Sequence, residues 1–304
     1  MSATPTQVRT ASTPAIAAGL ACNLLWGSVP ILFIALGRMG ASSWEIVAQR
    51  CLWAAPCAGA VALLLGQRRE ILATLRRWAT VRLLIASALA ISTGWSVYVW
   101  AVDNGHNLDA SLGYYITPLL NMGAGAMLFG ERIDRYGAAA IALAAVGVAI
   151  QALALGHIPL ISLVLATTFW VYGLIRRHVA VSAIAGLFIE TLVVAGPGAA
   201  YVAWLALHHQ GVFGHALAPS LWMLLVGPAT VAPLAIFAWT ARRLPFSVLG
   251  FLQFVSPTVG FVVGLGVGET LSPLRLISFA FIWAGVAAFS AGAVRAGRRL
   301  QIAA

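Results

Sequence analysis

Two ionisable side chains lie deep in otherwise apolar stretches of this 304-residue chain, Arg50 and Glu190. A charge in hydrocarbon is costly and is usually paired or functional. Glu190 is the deepest carboxylate, so it is the candidate for taking up and releasing a proton. Arg50 is the candidate for binding an anionic group of a substrate or for tuning that proton equilibrium. Aligning Pro56 with Pro197 sets Gln49 opposite Glu190 and Arg50 opposite Thr191. The Arg and the Glu could then meet near a bundle axis, and a static ion pair is the competing reading. Polar-tipped aromatics and amides gather at similar depth: Trp26, Trp95, Tyr98, Tyr114, Asn121 and Gln253. They line a cavity or pack between helices. Pro30, Pro118 and Pro257 each remove a helical hydrogen bond. A carbonyl freed in this way can face a cavity, or the proline can serve as a simple packing kink or as a gating hinge.

The elements that hold these residues are membrane helices. The chain is 61% hydrophobic and only 9% charged, with mean hydropathy +0.94, against about 25% charged in soluble domains. A spanning helix needs about 20 apolar residues. Ten such runs fit, at 14–36, 43–65, 80–102, 109–130, 135–155, 158–175, 183–206, 220–240, 246–268 and 273–293. They leave no room for a soluble domain. The expected class is an all-α membrane protein, and its partners are the lipid bilayer and a small-molecule substrate. The net charge of +10 comes entirely from Arg. Those residues sit in short clusters between apolar runs, which sets topology and argues against nucleic-acid binding. Cys22, Cys51 and Cys57 lie within apolar runs and read as packing residues. No His pair has metal-ligand spacing, so neither a metal nor a cofactor is expected. The first apolar run reads as a retained span rather than a signal peptide.

Two stretches repeat. Ala110-Ser-Leu-Gly-Tyr-Tyr-Ile-Thr-Pro118 leads through an apolar run to Gly130-Glu131, and Ser247-Val-Leu-Gly-Phe-Leu-Gln-Phe-Val-Ser-Pro257 leads likewise to Gly268-Glu269. With the N-terminus inside, the inner segments hold nearly all the Arg, including Arg68, Arg69, Arg76, Arg77, Arg132, Arg135, Arg176, Arg177, Arg242 and Arg243. The outer segments hold Arg38 and Arg275, with Asp103 and Asp109. This bias predicts both termini inside. Five spans per copy is an odd number, so the second copy enters inverted. The organisation expected is a cytoplasmic tail at 1–13, a first five-helix repeat at 14–155, an inverted five-helix repeat at 156–294 and a cytoplasmic tail at 295–304. Gly264-x-x-x-Gly268 and the Gly123–Gly125 region offer small faces for packing or dimerisation, which leaves monomer and homodimer both open.

These features resemble the EamA-type transporters of the drug/metabolite transporter superfamily, and the RarD branch more closely. The resemblance rests on Trp26-Gly27, Glu45-Ile-Val-Ala-Gln-Arg50, Trp100-Ala-Val-Asp-Asn104, Tyr172-Gly-Leu-Ile-Arg-Arg177, Ile189-Glu-Thr191, Leu249-Gly-Phe-Leu-Gln-Phe254 and Phe279-Ala-Phe-Ile-Trp283, together with the two Pro…Gly-Glu helices. It covers nearly the whole chain. It implies ten helices and a multi-pass permease of the bacterial inner membrane, in a branch that carries a chloramphenicol-permease label. With no phosphate-binding loop, an ion or substrate gradient would supply the energy. An intramembrane enzyme would need paired deep carboxylates or a deep His, which the sequence lacks. A non-transporting scaffold or regulatory subunit is the alternative, but it would not need inverted symmetry.

Overall fold

Long apolar runs punctuated by capping residues dictate helices here. Ser42 accepts a hydrogen bond from the Glu45 amide, Asp134 from the Gly137 amide and Ser182 from the Ala185 amide. Each side chain satisfies one of the amides that a helix start leaves open. The computed structural model describes residues 12–104, 106–266 and 272–302. Its elements are α1 (Thr13–Arg38), α2 (Ser43–Leu64), α3 (Arg68–Leu75), α4 (Trp78–Asp103), α5 (Asn107–Met127), α6 (Arg135–Ala154), α7 (Leu160–His178), α8 (Ala183–Leu207), α9 (Leu217–Ala241), α10 (Phe246–Gln253), α11 (Val255–Gly266) and α12 (Pro273–Ile302). All regular structure among the described residues is helical.

Among the described residues, eight helices are long and apolar enough to cross a membrane, namely α1, α2, α4, α6, α7, α8, α9 and α12. Two expected spans fall outside that set for physical reasons. Helix α5 carries Asp109, Thr117 and Asn121, which lower its hydropathy. The run from 246 is interrupted at Phe254 into α10 and α11. Pro257 lies three residues beyond the break, and its ring clashes with a carbonyl one turn back. By contrast, Pro30 and Pro118 sit inside continuous helices, as do Pro56, Pro197, Pro228 and Pro233. A further departure is α3. Between α2 and α4 the chain forms this short helix rather than a plain loop, and Ile71 and Thr74 are buried on its inner face. Gly268 and Glu269, with most of the N-terminal tail, lie outside the described residues.

The helices pack as α2 with α8, α6 with α12, α5 with α7 and α10, α1 with α9 and α11, α4 with α7 and α8, and α2 with α9. Carboxylates tie the helix ends together. Glu45 at the start of α2 is buried and accepts from the amides of Val212 and Phe213 between α8 and α9. Reciprocally, Glu70 in α3 accepts from the amide of Ser182 at the start of α8, at 2.6 Å, and Gln67 accepts from its hydroxyl. Glu131 follows Gly130, whose φ of +61° turns the chain back after α5. Its carboxylate accepts from the amides of Phe246 and Ser247 at the start of α10, at 2.6 and 2.9 Å, and from the Ser247 hydroxyl. Arg177 lies 3.7 Å away. This close approach requires Gly125, where a Cβ would stand 2.5 Å from the Glu131 carboxylate and 2.8 Å from the Ser247 nitrogen. Negative charge at a helix start is favoured by the helix dipole as well.

Glu131→Ala is expected to cost about 3 kcal/mol, because it strands two amides and Arg177 in a poorly hydrated place. Glu131→Gln should cost less, since its amide oxygen still accepts. Thermal unfolding of the purified protein in detergent measures both; an unchanged midpoint for Glu131→Ala would show that the clasp does not stabilise.

Candidate functional site

Helices from all parts of the chain enclose a cavity of about 810 Å³. Of the residues singled out in the sequence, Trp26, Pro30, Arg50, Trp95, Tyr98, Tyr114, Gln253 and Pro257 line it. Aromatic side chains from several helices form part of its wall. Trp26 from α1 meets Phe169 from α7 edge to face at 5.3 Å, and Tyr98 from α4 meets Tyr114 from α5 at 5.6 Å. Such packing fixes large apolar surfaces at small entropic cost.

Arg50 brings charge to this wall. Its Nε donates to the Thr230 hydroxyl at 3.2 Å, and that hydroxyl donates to the Val226 carbonyl. The guanidinium carbon lies 4.2 Å from the centre of the Trp95 ring and 5.2 Å from that of Phe33. Cation–π contact and one hydrogen bond therefore orient the group. No described carboxylate pairs with it, and both terminal nitrogens remain available to the cavity.

Asn121 and Glu190 stand apart from the cavity. Asn121 is fully buried and its amide nitrogen donates to the Gln253 side-chain oxygen, joining α5 to α10 and holding Gln253 in the wall. Pro118 likewise does not line the cavity, although its carbonyl lies against Gly250 of α10. Glu190 does not meet Arg50. It lies 3.6 Å from Arg176, in a pair whose side chains are 3% and 1% exposed. The suggested Arg50–Glu190 pair is thus corrected. The alignment placed the two residues on packed helices, α2 and α8, but a nearer arginine from α7 takes the carboxylate.

Sequence reasoning missed that arginine because Arg176-Arg177 looks like a loop cluster that sets topology. In the structure neither is a plain loop charge. Arg176 donates to the Ala183 carbonyl as well as pairing with Glu190. Arg177 donates to the Leu244 carbonyl and lies over the Phe129 ring. Arg242 similarly donates to the Val181 carbonyl. The signal available was Gly186, whose missing Cβ leaves the space that the Arg176 guanidinium fills. Gln151, Thr168, Phe33 and Arg275 also line the cavity without having been singled out for it. Gln151 donates to Ser278 at 2.7 Å, and Ser278 donates to the Gly147 carbonyl, which links α6 to α12.

The chain is similar to proteins named as membrane transporters. An uncharacterized transporter of Pseudomonas aeruginosa is 42% identical over 291 residues, covering 93% of this chain and 95% of its own. Protein RarD of Streptomyces exfoliatus is 36% identical, with 90% and 87% covered. Protein RarD of Escherichia coli is 33% identical, with 92% and 95% covered. Residues 13–153 match the EamA-like transporter family. The chain is a RarD-like member of the EamA-like transporter family. It is therefore a multi-pass bacterial membrane protein and a membrane transporter of the drug/metabolite type. A solved crystal structure of 18% identity superposes with a TM-score of 0.68 over 91% of this chain and 96% of its own, which agrees in fold.

Removing one partner of a buried ion pair typically costs 3–5 kcal/mol, whereas replacing both with apolar groups is often neutral. Arg176→Met alone should therefore lower the unfolding midpoint strongly. The double variant Arg176→Met/Glu190→Leu should recover most of that loss. A double variant no better than the single would mean that Arg176 acts through its bond to the Ala183 carbonyl instead of the pair.

Proposed function

We propose that this chain is a secondary transporter that moves small metabolites or drug-like molecules by alternating access, with the large cavity as its substrate site. The observation that carries the reading is the cavity itself, about 810 Å³ and lined by aromatic and amide side chains from both parts of the chain. That size suits small-molecule recognition. The family and its transporter-named relatives favour transport over an enzymatic role.

The working architecture is ten spans, with α5 and the broken α10–α11 added to the eight longest apolar helices. Helices α1, α2, α4, α5 and α6 form one half, and α7, α8, α9, α10–α11 and α12 form an inverted second half. The packing supports this. Exchanging the halves turns the α5–α7 contact into α10–α11 with α1, the α4–α7 contact into α9 with α1, and the α2–α9 contact into α8 with α4, and all of these pairs occur. The pairs α2–α8, α6–α12 and α5–α10 map onto themselves. The reciprocal capture of the α8 start by Glu70 and the α8–α9 connection by Glu45 follows the same exchange. Bending at the α10–α11 break, beside Gln253 and Pro257, is the gating step that this geometry favours. The Arg distribution supports both termini inside. Proton coupling would have to reach the cavity from Glu190, which instead faces Arg176. A substrate gradient is therefore the simpler driving force.

Transport assays come first, and site-directed labelling follows. A small-molecule library, read first by thermal stabilisation and then by uptake into proteoliposomes, should yield a transported compound; failure of every stabilising compound to enter would overturn transport. Uptake by Arg176→Met/Glu190→Leu should keep the wild-type pH profile, and loss of that profile would make Glu190 the coupling group. Second, in a variant with Cys22, Cys51 and Cys57 replaced by Ala, cysteines at Arg69 and His209 should react with an impermeant maleimide from opposite sides, the first from inside. Labelling from one side would refute the inverted ten-span arrangement.

A further inference from the structure

The charge balance of the cavity restricts what it holds. Among the described residues lining it there is no Asp and no Glu, while Arg50 and Arg275 both contribute to the wall. Arg50 is the better-defined group. Its Nε is occupied by Thr230 and its flat face by Trp95, so the edge carrying the two terminal nitrogens is what remains for a ligand. Two parallel N–H donors on a rigid plane match the two oxygens of a carboxylate. The field of an unpaired guanidinium in a poorly hydrated wall attracts an anion and repels a cation, and no acidic side chain in the described wall offsets it. Trp95 stacks on the guanidinium, and Tyr98, Tyr114, Trp26 and Phe169 share the cavity wall with it, a set of aromatic faces that suits a flat apolar body. Gln253, fixed from behind by Asn121, adds an amide at the wall.

We propose that the substrates are organic monoanions, a carboxylate on a flat apolar body, with the carboxylate held end-on by Arg50 and the body between Trp95, Tyr98 and Tyr114. This rests on the reading of the cavity as a transport site and specifies the chemical class that enters it. A neutral amphiphile would gain the aromatic contacts but would leave the Arg50 donors unanswered, and buried unpaired donors cost affinity.

The test uses the purified full chain with matched ligands: benzoate, 4-hydroxyphenylacetate and indole-3-acetate, each beside its neutral amide, and tryptamine as the cation. Thermal stabilisation reports binding, and uptake into proteoliposomes reports transport. At least one carboxylate should bind at least tenfold more tightly than its amide, with tryptamine weaker still. In Arg50→Gln that preference should disappear, and in Arg50→Lys it should persist in reduced form, because an ammonium cannot pair with both oxygens at once. The ligand series on the unaltered protein decides the class even if Arg50→Gln does not fold. Amides or tryptamine binding as well as the acids, no response to any acid, or an acid preference that survives Arg50→Gln would each overturn the proposal. Binding of acids without uptake would instead leave the class standing and overturn the transport reading, whereas uptake of the neutral or cationic compounds alone would do the reverse.

Discussion

Inside a bilayer a polar group has no water to fall back on, so each helix end and each charge must be answered by another part of the chain. That constraint organises this molecule. The bonds that answer it mostly join a residue of the first half of the sequence to one of the second: Glu45 to Val212, Glu70 to Ser182, Glu131 to Phe246 and Ser247, Asn121 to Gln253, and Gln151 to Ser278. Apolar contacts between helices differ little from helix–lipid contacts, so they cannot by themselves select one arrangement in a membrane. The carboxylate clasps can, because each fits a specific helix start. They sit at helix ends.

The two deep arginines illustrate how context separates structural from available charge. Arg176 is surrounded by partners: Glu190, the Ala183 carbonyl and the space that Gly186 leaves open. Its charge is neutralised locally. Arg50 has a neutral hydroxyl and two aromatic rings, which orient it without cancelling its charge. A buried pair such as Arg176–Glu190 adds little net stability over an apolar pair, but it penalises any arrangement that separates the two. It therefore fixes the end of α7 relative to the first turns of α8.

Much of this was legible in the sequence. Composition and run length set the helical membrane class, and the polar-tipped aromatics that departed from the lipid-facing pattern were the ones that line the cavity. Trp78, Trp100, Trp204 and Trp222, which fit an interfacial belt, are all exposed near helix ends. What was hidden depends on rotation about helix axes. Arg176 and Arg177 are adjacent in sequence, yet about 100° of helical turn sends one into the core and the other to Glu131. Charge counting treats them alike. The same limit misplaced Glu190, because repeat alignment locates a residue along a helix but does not say which neighbour its side chain faces. The interruption at Phe254 was equally ambiguous, since Pro118 and Pro257 look equivalent in sequence and only one of them lies beside a break.

That asymmetry has a mechanical consequence. Helix α5 runs unbroken past Pro118 to Met127, and the clasp at Glu131 anchors the chain just beyond it to the start of α10. Its counterpart in the proposed repeat is interrupted at Phe254, one residue from Gln253, with the Tyr115 hydroxyl donating to the Pro257 carbonyl at 3.5 Å. Backbone groups released at a helix break are tolerated at membrane depth only where protein or a wet cavity receives them. Here Gln253, Ser256 and Pro257 all border the cavity. The weak point of the hydrogen-bond ladder thus coincides with the part of the wall that a bound molecule would touch. The anchored end of α10 stays fixed by Glu131, so displacement at the break passes mainly to α11 and to α1, which packs along it. On the proposed transport reading, contact with a ligand and movement of the wall would be coupled through one short segment, without any need for a long-range signal.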